Sequence, residues 1–195
     1  MSALTDFPSK NDLRAAALAR RQALSEAEHS AAAAAIADRG LPVDWPPGAV
    51  VSGYAPIRGE LDPAPLMLAL AARGARLALP AVEQPGRPLR FHAWQPGDAL
   101  VRSPLGIDEP RRAAPELTPD ILLVPLAAFD RLGHRIGYGA GYYDCTLEAL
   151  SAVRAVITIG LAFAVQQIEA VPAAAHDVAL DYVLTEHETL NFRSR

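Results

Sequence analysis

The chain has 195 residues, of which 51% are hydrophobic and 21% are charged, a composition that excludes intrinsic disorder and predicts a folded protein with a substantial core. Its formal net charge of −4 argues against a dedicated nucleic-acid binder, because neutralising phosphates requires a basic excess. The longest apolar stretch, 121–129, is far shorter than the roughly 20 residues of a membrane-spanning helix. The single cysteine excludes an intrachain disulfide and a multi-thiolate metal site. We therefore expect a cytoplasmic protein with neither nucleic-acid nor membrane partners.

Two helices are predicted at the start of the chain. Ser9 with Asp12, and Ser25 with Glu28, are serine and acid pairs three residues apart, which is the spacing of a capping box at a helix N-terminus. The first helix is expected to reach about residue 24, and the second to begin directly after Ser25.

The rest of the chain reads as strands that alternate with helices. Six apolar or β-branched runs predict strands: 49–54, 76–79, 89–94, 120–125, 153–160 and 181–185. Asp62 as N-cap and Pro63 at the first helical position predict a helix ending near Arg73. This alternation favours an α/β fold. We expect one Rossmann-like three-layer α/β/α domain over residues 1–195, with a mainly parallel sheet covered by helices on both faces.

The densest chemical signal is the segment 129–144, FDRLGHRIGYGAGYYD. Gly137, Gly139 and Gly141 stand where a predicted strand passes into a predicted helix, which is where open α/β sheets bind ligands. Glycines let backbone N–H groups approach a phosphate, and a helix N-terminus adds a partial positive charge. Arg135 can reach the same anion. The alternative is a tight turn with incidental glycines, since the segment has neither the dinucleotide fingerprint nor the P-loop pattern.

Basic residues form a stripe on the first predicted helix. Lys10, Arg14 and Arg21 are four and then seven residues apart, so they share one helical face. Neighbouring like charges destabilise a helix by about 0.2 to 0.5 kcal/mol per pair, and a bound anion would offset that cost. The alternative is a solvated helix face, to which Arg20 is assigned.

Two carboxylates are candidate ligands of a hard cation. Magnesium is commonly held by one or two carboxylates together with substrate phosphates, and Asp144 and Asp177 suit that role. They are far apart in sequence, so the fold must bring them together. The alternatives are that Asp144 caps its helix and that Asp177 closes a turn beside His176.

Glu60 and several aromatic residues are candidates for binding an organic ligand. Glu60 lies in the loop between the first predicted strand and its helix, at the edge of the sheet where ligands are expected. The alternative for Glu60 is a solvated loop charge. Aromatic residues can supply flat apolar walls, although core packing is their ordinary role; they are Phe91, Trp94, Tyr138, Tyr142 and Tyr143.

At these residues the chain resembles the 5-formyltetrahydrofolate cyclo-ligase family. The resemblance spans most of the length, and several motifs in order are far more specific than any one of them. The matching motifs are Lys10 with Arg14, Gly59 to Asp62, Trp94 to Asp98, Gly106 to Pro110, Phe129 to Asp144, and Gln166 with His176 and Asp177.

The resemblance implies a three-layer α/β/α fold and an ATP- and magnesium-dependent cyclisation of 5-formyltetrahydrofolate to 5,10-methenyltetrahydrofolate. It implies a monomer whose partners are small molecules, ATP and a reduced folate. By the same resemblance, Glu60 and Trp94 contact the folate, Asp144 and Asp177 hold magnesium, and Arg135 and Tyr143 act in catalysis. The implied ATP contacts are Lys10, Arg14, Arg135, Ile136, Gly137, Tyr138, Gly139, Ala140, Gly141, Tyr142 and Tyr143. Two alternatives stay open: a family paralogue acting on another metabolite, and a non-catalytic nucleotide-binding module.

Overall fold

The computed structural model describes residues 8–172 and 177–193. Its helices are α1 (Lys10–Gln22), α2 (Glu26–Arg39), α3 (Ala64–Ala72) and α4 (Tyr142–Ser151). Its strands are β1 (Val50–Ser52), β2 (Arg76–Ala81), β3 (Arg90–Ala93), β4 (Val101–Arg102), β5 (Asp108–Glu109), β6 (Ile121–Pro125), β7 (Ala128–Phe129), β8 (Arg135–Ile136), β9 (Ile157–Leu161), β10 (Tyr182–Leu184) and β11 (Thr189–Asn191).

The predicted starts of α1 and α2 are confirmed, and α3 begins one residue later than predicted, at Ala64 with Pro63 as its N-cap. In both capping boxes the hydroxyl of the serine, Ser9 or Ser25, accepts the N–H of the acid three residues later, and that acid accepts the N–H of the serine. Asp62 Oδ1 accepts the N–H of Ala64 at 2.9 Å, so Asp62 satisfies a backbone donor at the start of α3. Pro63 stands between them, where its missing N–H costs nothing.

Seven strands of the described residues form one sheet in the order β11-β10-β9-β6-β1-β2-β3. The five strands β10, β9, β6, β1 and β2 are parallel to one another, and the edge strands β11 and β3 pair antiparallel with β10 and β2. The expectation of a mainly parallel sheet is therefore confirmed. Two short antiparallel hairpins, β4 with β5 and β7 with β8, stand outside this sheet.

Helices cover both faces of the sheet, which confirms the three-layer α/β/α architecture. Alternate residues along each strand belong to separate buried clusters, because successive side chains of a strand point to opposite faces. One cluster joins Val51 and Leu123 of the sheet to Ile36 of α2 and Leu66 of α3. The other cluster contains the strand residues that point to the opposite face, such as Leu122, and joins them to α4.

Helix α1 packs apart from these two clusters, against the β7–β8 hairpin. Its fully buried Ala17 meets Ala128, Ile136 and Val171 in a third apolar cluster. Since the glycine-rich segment directly follows β8, this packing places the basic residues of α1 beside that segment.

Several boundaries differ from the sequence prediction. The strand predicted at 153–160 begins at Ile157, because α4 extends to Ser151 and a turn follows it, with Val153 81% exposed. The strand predicted at 49–54 spans three residues, Val50–Ser52. The hairpin strands β4, β5, β7 and β8, and the edge strand β11, were not predicted. The four hairpin strands have two residues each, which is too short to show an alternating pattern.

The strand order locates the ligand-binding edge. The parallel strands in chain order are β1, β2, β6, β9 and β10, and across the sheet they stand 2-1-3-4-5. The chain therefore passes from β1 to β2 on one side of β1, and from β2 back across β1 to β6 on its other side. A crevice opens at such a switch point beyond the carboxyl ends of the strands, here between β1 and β6.

In the described part of the chain, every helix is too short or too polar to cross a membrane.

Candidate active site

A cleft of about 560 Å³ opens at this switch point. The loop after β1, the glycine-rich segment after β8 and the first turn of α1 line it, together with the end of β2 and the β4–β5 hairpin. All the residues to which the family resemblance assigns a role, except Trp94, line this one cleft: Lys10, Arg14, Glu60, Arg135, Ile136, Gly137, Tyr138, Gly139, Ala140, Gly141, Tyr142, Tyr143, Asp144 and Asp177.

The glycine-rich segment forms a turn that needs glycine at two of its three positions. Gly139 and Gly141 have φ angles of +92° and +70°, in the left-handed region that side chains disfavour. Gly141 is also the N-cap of α4, so the helix N-terminus faces the cleft. Arg14 on α1 donates its Nε–H to the Gly137 carbonyl at 2.7 Å, which fixes α1 against the segment. Backbone donors, a helix N-terminus and a cation thus converge, as an anion site requires.

Two ion pairs bring the predicted metal ligands together. Lys10 Nζ lies 2.6 Å from Asp177 Oδ2, and Arg135 Nη2 lies 2.5 Å from Asp144 Oδ1. Arg135 is 7% exposed and donates an N–H of its other terminal nitrogen, Nη1, to the Val178 carbonyl at 2.5 Å. The segment that carries Asp177 is therefore bonded to β8 and to α1. Asp177 thus lines the same cleft as Asp144, although the two are far apart in sequence.

Burial lowers the pKa of the Arg135 guanidinium from its ordinary value, and the charges of Asp144 and Asp177 oppose that effect. The guanidinium needs these carboxylates as partners because an isolated buried charge is costly. A phosphate that entered the cleft would offer Arg135 the same kind of partner.

The carboxylates fit a magnesium ion that is shared with phosphates. Carboxylate oxygens are the protein ligands that magnesium prefers, and it usually takes one or two of them. The Asp144 side chain is 43% exposed, and the Asp177 side chain is 16% exposed. In 8–172 and 177–193, no group of three histidine, cysteine or acidic side chains is arranged to hold a metal. The donor set therefore suits an ion that completes its coordination with substrate and water, as ATP-bound magnesium does.

Glu60 is a buried carboxylate in the loop after β1. Its Oε2 accepts the N–H of Ile57 at 2.9 Å, and Tyr54 fixes the same loop by donating its hydroxyl to the Leu61 carbonyl at 2.7 Å. Burial raises the pKa of the Glu60 carboxyl above its ordinary value. The Ile57 N–H, the Tyr138 hydroxyl and the charges of two arginines oppose that rise.

Two tyrosines of the glycine-rich segment stay protonated at neutral pH. Burial raises the pKa of Tyr138 and of Tyr143 well above the ordinary value, and the negative charge of Glu60 raises both further. Their hydroxyls are therefore available as hydrogen-bond donors beside Glu60 and Arg135.

The structure does not bring Trp94 to the cleft. Trp94 follows β3, is partly buried against the cluster that joins the sheet to α2 and α3, and is not among the residues that line the cleft. Phe91 is a core residue on the other face. Phe91 has the ordinary packing role, whereas Tyr138, Tyr142 and Tyr143 line the cleft. His176, predicted beside Asp177, lies outside the described residues.

Other lining residues were missed by the sequence reasoning or received no role there. Tyr54 and Arg58 belong to the Glu60 loop, and Asp108 and Glu109 belong to β5. The motif Gly106 to Pro110 was the available signal for β5, but nothing in it indicated a side chain facing the cleft. The apolar wall comes from the end of β2, the start of β3 and the β4–β5 hairpin: Pro80, Val82, Leu89, Leu105 and Ile107.

The two neighbouring arginines of α1 have different positions. Arg20 points away from the cleft and donates its Nε–H to the Val165 carbonyl at 2.6 Å, so its assignment to a non-functional face agrees with the structure. Arg21 turns inward and is 1% exposed. It does not line the cleft with Lys10 and Arg14, although its sequence spacing predicted that it would.

Comparison with known proteins decides the family. The sequence model of the 5-formyltetrahydrofolate cyclo-ligase family matches residues 6–186. The chain belongs to this family. A 5-formyltetrahydrofolate cyclo-ligase of Mycolicibacterium smegmatis is 35% identical over 193 residues, covering 91% of this chain and 93% of the relative. The Escherichia coli protein of the same name is 35% identical over 132 residues, covering 65% of this chain and 72% of the relative.

Solved structures agree with this membership. A 5,10-methenyltetrahydrofolate synthetase of Aquifex aeolicus superposes with a TM-score of 0.76 and 29% identity, covering 94% of this chain and 93% of the other. A 5,10-methenyltetrahydrofolate synthetase of Mycoplasma pneumoniae gives a TM-score of 0.73 and 25% identity, covering 92% and 99%. The chain is thus an enzyme of the cyclo-ligase family, and its fold is that of these synthetases.

Proposed function

We propose that this cyclo-ligase family member converts 5-formyltetrahydrofolate to 5,10-methenyltetrahydrofolate, with ATP and magnesium, releasing ADP and phosphate. The observation that carries the proposal is the composition of one cleft. Cations, two carboxylates and a glycine-rich turn at a helix N-terminus suit a magnesium-bound triphosphate. The same cleft holds the buried Glu60 carboxylate and an apolar wall, which suit a flat ring that carries hydrogen-bond donors.

In the first step, the formyl oxygen of the substrate attacks the γ-phosphorus of ATP, and the bond from that phosphorus to the ADP oxygen breaks. Lys10, Arg14 and Arg135, with the backbone N–H groups of the glycine-rich turn, neutralise the charge on the phosphates. Asp144 and Asp177 would hold magnesium, which when bound supplies further charge neutralisation at the phosphates. Arg135 is the catalytic cation because it is buried beside both carboxylates.

In the second step, the neighbouring folate nitrogen attacks the formyl carbon, the carbon–oxygen bond to phosphate breaks, and the proton of that nitrogen is released. The methenyl bridge then joins the two nitrogens, so no nucleophilic side chain is required. The reaction depends on alignment, which holding both substrates in one cleft supplies. Tyr143 lines the same cleft and stays protonated, so its hydroxyl would donate a hydrogen bond to the reacting groups.

The direct test is to incubate the purified protein with 5-formyltetrahydrofolate, ATP and magnesium and to follow the absorbance of the methenyl product. We expect product and ADP in equal amounts, and none when ATP is omitted. ATP binding without any methenyl product would favour the paralogue or the nucleotide-binding module over this proposal.

Asp144→Asn should lower turnover and weaken its dependence on magnesium while the protein stays folded. Asparagine keeps the size of the side chain but removes the charge that attracts the cation, and it leaves Arg135 without one of its ion-pair partners. The measurement is the rate as a function of magnesium concentration at saturating ATP. Glu148→Gln, an exposed acid one turn further along α4, is the matched control and should match the wild type. An unchanged magnesium response in Asp144→Asn would remove Asp144 from the metal site.

A further inference from the structure

Arg21 does not line the cleft, but it joins helix α1 to two of the segments that do. It donates Nη1–H to the Tyr138 hydroxyl at 2.5 Å and Nη2–H to the Arg58 carbonyl at 2.8 Å. Its guanidinium also lies 5.7 Å from the centre of the Tyr138 ring. Tyr138 belongs to the glycine-rich segment and Arg58 to the loop that carries Glu60. One side chain of α1 therefore bonds to both ligand-facing segments.

The loop end of this connection is strained. Arg58 has a φ of +51°, and in the part of the chain that the structure describes it is the one non-glycine residue in the left-handed region. Such a conformation persists only where surrounding contacts hold it. The bond from Arg21 to the Arg58 carbonyl is such a contact, and it stands two residues before Glu60.

The glycine-rich end of the connection also reaches Glu60. Because the Tyr138 hydroxyl accepts a hydrogen bond from Arg21, its own hydrogen is free to point to the Glu60 carboxylate, whose pKa it helps to lower. Movement of Tyr138 therefore changes the surroundings of Glu60 both directly and through Arg21.

Fold stability alone is a poor explanation for Arg21. Its Nε is buried and has no hydrogen-bond partner among the described residues. A buried donor left unpaired opposes folding, and buried charges are frequently replaceable by apolar side chains without loss of stability. Arg20, the residue before Arg21, is exposed and donates a hydrogen bond to the Val165 carbonyl, so an arginine on α1 can find a partner at the protein surface. The inward position of Arg21 points to a role in the cleft.

We propose that Arg21 is a positioning residue that couples the two ligand sites, so that ATP bound at the glycine-rich segment strengthens folate binding at the Glu60 loop, and the reverse. This rests on the proposed function for the identity of the two ligands. A ligand that orders Tyr138 orders Arg21, and through it the Arg58 to Glu60 turn, so the second ligand meets a loop that is already ordered. Coupling of this kind is reciprocal by thermodynamic necessity.

The test compares the affinity for 5-formyltetrahydrofolate with and without a saturating non-hydrolysable ATP analogue and magnesium, by calorimetry. In the wild type the analogue should tighten folate binding by about fivefold or more, the lower end of typical coupling. Arg21→Met should bring that factor close to one. Arg20→Met is the matched control, and it should keep the wild-type factor. An unchanged factor in Arg21→Met, or no coupling in the wild type, would overturn the proposal.

Two further variants separate the effect of the two Arg21 hydrogen bonds from the effect of its positive charge. Arg21→Lys keeps a cation near Glu60 but has no fork to bond both partners, so it should still lose coupling. Tyr138→Phe removes the hydroxyl that accepts the hydrogen bond from Arg21 while Arg21 itself stays, and it should also lose coupling. Tyr138→Phe then serves as the deciding variant if Arg21→Met does not fold. Full coupling in both variants would overturn the proposal.

Amide hydrogen exchange tests the connection without folate. The ATP analogue alone should slow exchange in residues 57–60 of the wild type and of Arg20→Met, but not of Arg21→Met. With no ligand, Arg21→Met should speed exchange in both 57–60 and 137–141. If the wild type binds no 5-formyltetrahydrofolate, the proposed function fails, and these exchange measurements still decide the role of Arg21. Unaltered exchange in both segments of Arg21→Met would overturn it.

Discussion

Glu60→Gln should weaken the binding of 5-formyltetrahydrofolate by about ten- to a hundredfold and leave ATP affinity nearly unchanged. The substitution keeps the size of the side chain and removes its charge, and a lost charged hydrogen bond costs about 1.5 to 3 kcal/mol. ATP affinity, measured in the absence of folate, should hold because Lys10, Arg14 and Arg135 are untouched. Calorimetric titration with each ligand separately gives both affinities.

The pH dependence of folate binding provides a second readout of Glu60. Burial raises the pKa of this carboxyl, so it takes up its proton at a higher pH than an ordinary glutamate. Folate binding that needs the carboxylate should therefore weaken as pH falls through that raised pKa, and Glu60→Gln should lack this transition. Comparison of the two pH profiles separates the titration of Glu60 from that of the ligand.

The same pKa shift predicts the sign of the effect on stability. Because the folded state disfavours the charged form, ionisation of Glu60 lowers the free energy of unfolding as pH rises from the ordinary glutamate pKa through the raised one. Above that window the penalty is fully present. Glu60→Gln removes it, so the variant should melt no lower than the wild type at neutral pH.

Glu116→Gln is the control for Glu60, because its side chain is exposed and pairs with Arg90 at the surface. This variant should bind both ligands as the wild type does. If Glu60→Gln weakened ATP binding while 5-formyltetrahydrofolate bound and reacted normally, the folate assignment would fail and the paralogue would gain support.

Arg135→Met should reduce turnover by about a hundred- to a thousandfold, the cost of removing one preorganised donor from a developing charge. The methionine fills the buried space but carries no charge to meet the transferred phosphoryl group. It also leaves Asp144 without its ion-pair partner, so ATP binding should weaken as an uncompensated carboxylate faces the phosphates. The measurement is kcat under saturating substrates, with ATP affinity determined separately.

Arg131→Met is the matched control for Arg135, since Arg131 lies four residues earlier, is 59% exposed and pairs with Glu188 outside the cleft. It should retain full activity. Arg135→Lys should restore part of the turnover, because a lysine supplies the charge but not the fork that bonds Asp144 and the Val178 carbonyl together. Turnover near the wild-type level in a folded Arg135→Met protein would show that the phosphates are neutralised elsewhere.

The sequence by itself determined the local features of this protein. The capping boxes at Ser9 and Ser25 act within four residues, so their geometry follows from composition at fixed spacing. The left-handed turn at Gly139 and Gly141 is also local, since only glycine adopts it without strain. Buried parallel strands were visible as continuous apolar runs, because both faces of the sheet are covered. Together with the family resemblance, these features indicated most of the residues that line the cleft.

The tertiary structure alone decided what depends on distant contacts. The strand order 2-1-3-4-5 sets which loops meet, and no local pattern encodes it. Arg21 and Trp94 show the consequence. Helical spacing placed Arg21 with Lys10 and Arg14, but the partners Tyr138 and Arg58 draw it behind the cleft. Trp94 is partly buried against the cluster that joins the sheet to α2 and α3, so its neighbours come from elsewhere in the chain. Spacing fixes a face within one element, and only packing between elements determines what that face meets.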